Sequence, residues 1–308
     1  MNTPVKLAAF GVGLLALFGA ATGLGAVVGP VGAAADEPSS AGHDMGSQPG
    51  AGHQEQAPHE AAGAHLPAGL VVSEDGYTLV LDQPTLPAGA GVPLAFRIEG
   101  PDGHAVADYE VRHDEDLHLI AVRRDLTGYQ HVHPEQDADG VWRVPLDLSP
   151  GSWRVFADFA ASADGEDRVL GAELAVGGEY APQPLPAPAA VAEVDGYTVV
   201  LDGALTAGEE TELRFGISRD GVPVTDLESY LGAYGHLVAL RQGDLGYLHV
   251  HPSDPPGGAA PAPGPNVGFA TTAPSAGTYR LFLDFKHGDV VRTAAFTVTV
   301  GAHEEHGS

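Results

Sequence analysis

The chain has 308 residues, room for two domains of ordinary size, and 44% of them are apolar, so it can bury a real core. Against 14 Lys and Arg stand 41 Asp and Glu, a formal net charge of −27; a surface that acidic repels phosphate backbones and anionic lipid heads and excludes nucleic acid as an expected partner. There is no cysteine, hence no disulfide, no thiolate site and no lipid-modified N-terminal cysteine, and a transition metal would have to be held by His, carboxylate, Met or main-chain groups.

In chain order, the first element is an addressing signal. Lys6 precedes the uncharged run "LAAFGVGLLALFGAATGLGAVVGPVGAAA", and the next charge is Asp36. Residues 1–35 read as a secretory signal with Ala33-Ala34-Ala35 as its cleavage site, or as an uncut membrane anchor, since the run exceeds the ~20 residues a bilayer needs. Pro30 and the Gly/Ala-rich second half favour cleavage. Either way the expected location is extracytoplasmic, secreted or held to the membrane by this segment alone.

Residues 36–66 carry no aliphatic run and read as a disordered tether containing His43, Met45, His53, His59 and His65. Such an arm could simply be polar, or it could collect metal ions loosely.

Beyond the tether the chain repeats itself. "EDGYTLVLD" at 74–82 is answered by "VDGYTVVLD" at 194–202, and "GSWRVFADF" at 151–159 by "GTYRLFLDF" at 277–285. The expected units are residues 67–178, a Pro-rich linker 179–190, residues 191–301, and a polar tail 302–308. The first unit holds seven β-type runs: TLVLD, VPLAFRIE, LHLIAVRR, YQHVHP, VWRVPLDL, SWRVFADFA and LGAELAV. With Gly and Pro between them and no helical period, they predict an all-β fold, two tandem immunoglobulin-like antiparallel β-sandwich domains.

Histidine is the unusual residue. "LHLIAVRRDLTGYQHVHP" at 117–134 returns as "GHLVALRQGDLGYLHVHP" at 235–252, placing His118, His131 and His133 in register with His236, His249 and His251 at an offset of 118. Strand side chains alternate, so His131 and His133 share a face. A hairpin turning at Asp125 and Leu126 puts His118 opposite His133, within the roughly 4.5–5.5 Å Cβ separation of directly paired residues. The same register opposes His236 and His251. Three convergent neutral imidazoles with one open position suit Zn²⁺ or copper. The competing reading is that these histidines hydrogen-bond main chain at the sandwich edge.

Asp158 and Asp284, in the shared F-x-D-F strands, are candidate fourth ligands, or else partners of Arg123 and Arg241, or solvent-facing. Tyr129 and Tyr247 precede each H-x-H by two positions and read as core. His104, His113 and His287 lack counterparts and read as surface residues, as do His303 and His306 in the tail.

The pattern "HL(I/V)A(V/L)R…DL…Y-x-H-V-H-P" followed by "G-x-(W/Y)-R-x-F-x-D-F" resembles a group of exported bacterial, especially actinobacterial, proteins with duplicated immunoglobulin-like domains. The resemblance covers roughly residues 75–300 and implies a role in copper or other heavy-metal homeostasis. The expected function is therefore an extracytoplasmic metal-binding protein, for copper or alternatively zinc, used in buffering, delivery or sensing. Each repeat would hold one site, at His118, His131 and His133 and at His236, His249 and His251, and another metal-handling protein of the envelope would be a partner. The alternative is a cell-surface protein-interaction module with structural histidines, displaying the Pro-rich insert 253–266. No nucleophile motif, phosphate loop or dinucleotide fingerprint points to catalysis.

Overall fold

The computed structural model describes residues 67–248, 250–253 and 261–302. The expected signal segment, the His-rich tether, His249, residues 254–260 of the Pro-rich insert and the tail with His303 and His306 lie outside the described residues; His251 is described in its backbone only. Among the described residues no helix is long and apolar enough to cross a membrane.

The first repeat contains β1 (Ser73–Glu74), β2 (Tyr77–Leu81), β3 (Thr85–Leu86), β4 (Gly89–Glu99), β5 (Leu117–Arg123), β6 (Gln130–Val132), β7 (Glu135–Gln136), β8 (Trp142–Leu148), β9 (Gly151–Ala160) and β10 (Asp167–Val176). They form two facing sheets, in the orders β1-β2-β4-β8-β7 and β3-β10-β9-β5-β6. All pairings are antiparallel except β3 with β10, which is parallel. The seven runs legible in the sequence are β2, β4, β5, β6, β8, β9 and β10.

The second repeat follows the same plan, with β11 (Val191–Val194), β12 (Tyr197–Asp202), β13 (Glu210–Arg219), β14 (Val222–Pro223), β15 (His236–Arg241), β16 (Tyr247–Leu248), β17 (Val250–Pro252), β18 (Asn266–Thr272), β19 (Gly277–His287) and β20 (Val290–Val300). Its sheets run β11-β12-β13-β18-β17, with β14 beside β13, and β16-β15-β19-β20. The fold is thus all-β, two immunoglobulin-like sandwiches in tandem.

Burial explains which sheet does what. In β8 inward and outward residues alternate strictly, the pattern of a sheet with one wet face. In β5 all seven residues are buried, so both faces are covered. One face packs inside its own sandwich, with Leu117, Leu119 and Ala121 among Trp153, Val155 and Phe159. The other face meets the second repeat, and Ile120, Val122, Leu126, Phe156 and Val169 join Val238, Leu240, Leu245, Tyr247 and Phe282 in a third apolar cluster.

The docking is reciprocal. Tyr129 stacks on Phe282 at 4.0 Å between ring centroids, while the equivalent Tyr247 packs on the equivalent Phe156 at 5.8 Å. Each repeat therefore offers the same patch to the other, the pattern of an approximate two-fold interface within one chain.

The β5–β6 and β15–β16 hairpins that build this interface carry Leu126 at φ 62° and Leu245 at φ 64°, the left-handed region. That conformation costs about 1–2 kcal/mol for a residue with a Cβ. Both leucines are almost fully buried, 4% and 0% exposed, and burial contributes roughly 1.5–3 kcal/mol each. Packing against the other repeat outweighs the backbone cost.

Candidate metal centre

The hairpin register places the first histidine triad. β5 and β6 pair Leu119 with Val132, Ile120 with His131 and Ala121 with Gln130, with no bulge, so His118 and His133 fall one step further along the same ladder. His118, His131 and Ile120 share a face, and it is the face turned to the second repeat. The expected convergence is present: one nitrogen from each of His118, His131 and His133 lies within 4.8 Å of the others. Their ring centroids are 5.4, 5.0 and 5.1 Å apart.

Each outer nitrogen can be assigned. A tight turn closed by hydrogen bonds between Arg112 and Glu115, with His113 and Asp114 at positive φ, aims the Arg112 carbonyl at His118. His118 Nε2 donates to that carbonyl at 2.9 Å, which leaves Nδ1 with its lone pair. His131 Nδ1 lies 2.9 Å from Asp284 Oδ2 and donates to it, which leaves Nε2. His133 Nδ1 is 3.8 Å from Glu115 Oε1, and its Nε2 is buried without a hydrogen-bond partner among the described residues.

The inner nitrogens His118 Nδ1 and His131 Nε2 face each other at 3.2 Å. Two lone pairs at that distance repel unless a cation lies between or beside them, and the choices are a proton or a metal ion. Two nitrogens bound at ~2.0–2.1 Å around a tetrahedral centre are ~3.3 Å apart, so the spacing matches a ligand edge. The orphaned His133 Nε2 supplies the third donor. Orientation of each ligand through its second nitrogen is the usual support of a histidine metal site.

Electrostatics favours lone pairs over protons at two of the three ligands. Burial first, and then the neighbouring His131, His133 and His113, hold His118 down to about 3 despite the Arg112 carbonyl. Burial and then His131 and His236 lower His133 to about 4. Both are neutral at physiological pH and ready to bind a cation.

The second triad is only partly described, because His249 lies outside the described residues and His251 is described in its backbone only. His236 donates Nε2 to the Tyr230 carbonyl at 2.7 Å, the counterpart of the His118–Arg112 bond. Its ring lies 6.3 Å from His131 and 5.5 Å from His113, so it belongs to the same interfacial histidine group. Burial, then His131 and His113, lower it to about 4. β17 has crossed to the other sheet, where His251 pairs with Ala270 in the backbone, so the expected opposition of His236 and His251 is not made by strand pairing. Sandwich corners switch sheets in this way, and the second repeat switches earlier than the first.

Asp158 and Asp284 do not pair with Arg123 and Arg241, which are held by Asp125 and by Asp244. Nor does Asp284 face solvent, for it is 2% exposed. Instead the two aspartates reach across the interface: Tyr129 Oη donates to Asp284 Oδ2 and Tyr247 Oη to Asp158 Oδ2, each at 3.4 Å. Burial and then the adjacent aspartate hold both phenols well above their usual range, so they remain donors. Desolvation and Asp167 raise Asp158 to about 6.

The remaining histidines divide. His104 is exposed, as expected. His113 is exposed too, yet its ring stands 6.0 Å from His118, on the rim of the site. His287 is not a plain surface residue, since Nδ1 lies 2.6 Å from Tyr197 Oη and Nε2 3.2 Å from Asp226. Sequence reasoning missed Glu115 and Tyr230, which border the site from loops without a repeated motif.

Two docked immunoglobulin-like sandwiches with a histidine cluster at their junction define the class of this protein. The chain belongs to the family described as a domain of unknown function, DUF8832, which matches it twice, over residues 71–177 and 192–302. No curated protein matches it. Among solved structures it is similar to the Escherichia coli adhesin FdeC at 15% identity and a TM-score of 0.23, over 75% of this chain and 65% of that one. It is similar as well to the fibronectin(III)-like modules of Clostridium thermocellum CbhA, at 10% identity and a TM-score of 0.22, over 75% of this chain and 100% of that one. Yersinia pseudotuberculosis InvD shows 10% identity and a TM-score of 0.23, over 77% and 61%. Likeness at this level carries no inference about activity.

Proposed function

We propose that this chain is an extracytoplasmic metal-binding protein whose cargo is copper, with zinc as the alternative, taken up by His118, His131 and His133 for buffering, delivery or sensing. The observation that carries the reading is the inward-facing nitrogen set, above all His133 Nε2, buried with no partner among the described residues, beside the 3.2 Å pair of His118 Nδ1 and His131 Nε2. A purely structural cluster would satisfy these atoms within the protein. Copper is preferred because nitrogen ligands bind it above zinc in the order of divalent affinities, and because the sequence resembles exported proteins of copper homeostasis. The export reading rests on the uncharged run before Asp36.

Titration of the mature chain with Cu²⁺ and with Zn²⁺, against a chelator of known affinity, tests the proposal. Saturable binding that is lost on replacing His118, His131 and His133 by Ala is the expected result. Absence of saturable binding, or binding unchanged in that variant, overturns it.

A further inference from the structure

We propose that Asp284, in the second repeat, is the positioning residue for the metal site of the first, so that the site is complete only when the two repeats are docked. The inference rests on the metal reading above and adds the group that sets its geometry.

Asp284 is an ionisable residue in the otherwise apolar stretch LFLDF, with a side chain only 3% exposed. Burying a carboxylate without donors costs several kcal/mol, so its partners account for its presence. Among the described residues there are three: His131 Nδ1 at 2.9 Å, Tyr129 Oη at 3.4 Å and Thr293 Oγ1 at 2.5 Å. The first two belong to the other repeat. Asp284 therefore serves a neighbouring sandwich more than its own.

What it does there follows from imidazole chemistry. A neutral imidazole has two tautomers, and only the one protonated on Nδ1 leaves Nε2 free for a metal. The carboxylate selects that tautomer and holds the ring plane. Nε2 is the atom facing His118 Nδ1. The side chain of His131 is 7% exposed, so water cannot readily take over the role. Because the carboxylate arrives with the second repeat, metal affinity and repeat docking are linked, and each strengthens the other by the same factor.

The test uses the full mature chain, Cu²⁺ and Zn²⁺ as probes, and the variants Asp284→Ala, Asp284→Asn and Tyr247→Phe. Removing an orienting carboxylate weakens a metal site by roughly 10–100-fold, the loss expected for Asp284→Ala. Asp284→Asn should recover part of it, because the amide oxygen can still accept from Nδ1. Tyr247→Phe deletes the mirror-image hydrogen bond to Asp158 but keeps the ring against Phe156 and leaves His131 untouched, so it should cost far less affinity than Asp284→Ala. In the metal-free chain, nitrogen NMR should find His131 protonated on Nδ1 in the wild type and mixed in Asp284→Ala. Undiminished affinity in Asp284→Ala, or an equal loss in Tyr247→Phe, overturns the positioning role while the metal reading survives. A wild-type chain that binds neither metal overturns both.

Discussion

Asp284 and His131 lie 153 positions apart in different repeats, yet Oδ2 and Nδ1 meet at 2.9 Å inside the interface, each side chain less than a tenth exposed. This pair joins the candidate metal centre to the docking of the two sandwiches.

Phe282 closes the interface over Tyr129, is 3% exposed and stacks within 5° of parallel. Truncating a buried Phe to Ala costs about 3–5 kcal/mol. Phe282→Ala should lower the urea midpoint accordingly and expose Tyr129 fluorescence to quenching. A loss under about 1 kcal/mol would mean that the repeats are not held together by this cluster.

Gly128 precedes Tyr129 in the hairpin turn at φ +66°, and a Cβ there would stand 2.6 Å from the buried Trp153 ring. Gly165 has nearly the same φ, +70°, with open space around it. Gly165→Ala should cost about 1–2 kcal/mol from the backbone alone. Gly128→Ala should cost about 2–4 kcal/mol, because overpacking adds to that conformational penalty. Equal destabilisation of the two variants in denaturant titrations would contradict the close approach.

The metal-free chain should lose stability as pH falls from 6.5. His118, His133 and His236 ordinarily titrate near 6.5, and the fold lowers them to about 3, 4 and 4. Between those values the unfolded chain binds more protons than the folded one, so stability rises with pH across the window and is fully present only above 6.5. Asp158, raised from 3.8 to about 6, acts in the opposite sense, favouring the fold as it protonates. Three displacements outweigh one smaller displacement. Urea unfolding at pH 7, 5.5 and 4.5 in the presence of chelator should give falling midpoints, and a flat or rising series would refute the assignment of buried neutral imidazoles.

Chelation itself should not unfold the protein. Each repeat has its own apolar cluster, around Phe96, Trp153 and Phe159 in the first and Phe215, Phe269 and Phe296 in the second, remote in composition from the histidines. Domains of this size bury enough surface to fold without a metal staple. Removing metal should lower the melting temperature only by the binding term while leaving the β-sheet circular dichroism intact. Collapse of that signal on chelation would make the site structural and end the cargo reading.

Much of this was readable from local pattern. Alternating apolar residues with Gly and Pro breaks yielded the seven principal strands of the first repeat, since a strand with one wet face leaves a period of two in the sequence. The spacing of Asp125 and Leu126 between two runs specified the register that brings His118 to His133, because the turn and the apolar alternation set hairpin pairing; the second repeat keeps that register only as far as Leu248, before β17 joins the other sheet.

What local pattern could not supply was the second face of β5. The unbroken run LHLIAVR signals burial on both sides but names no partner, and only docking shows that the partner is the other repeat. For the same reason Asp284 looked like an optional ligand or an arginine partner, when its task is to hold His131. A hydrogen bond across 153 positions depends on how two finished sandwiches meet, and that follows from the shape of their faces, which no spacing along the chain encodes.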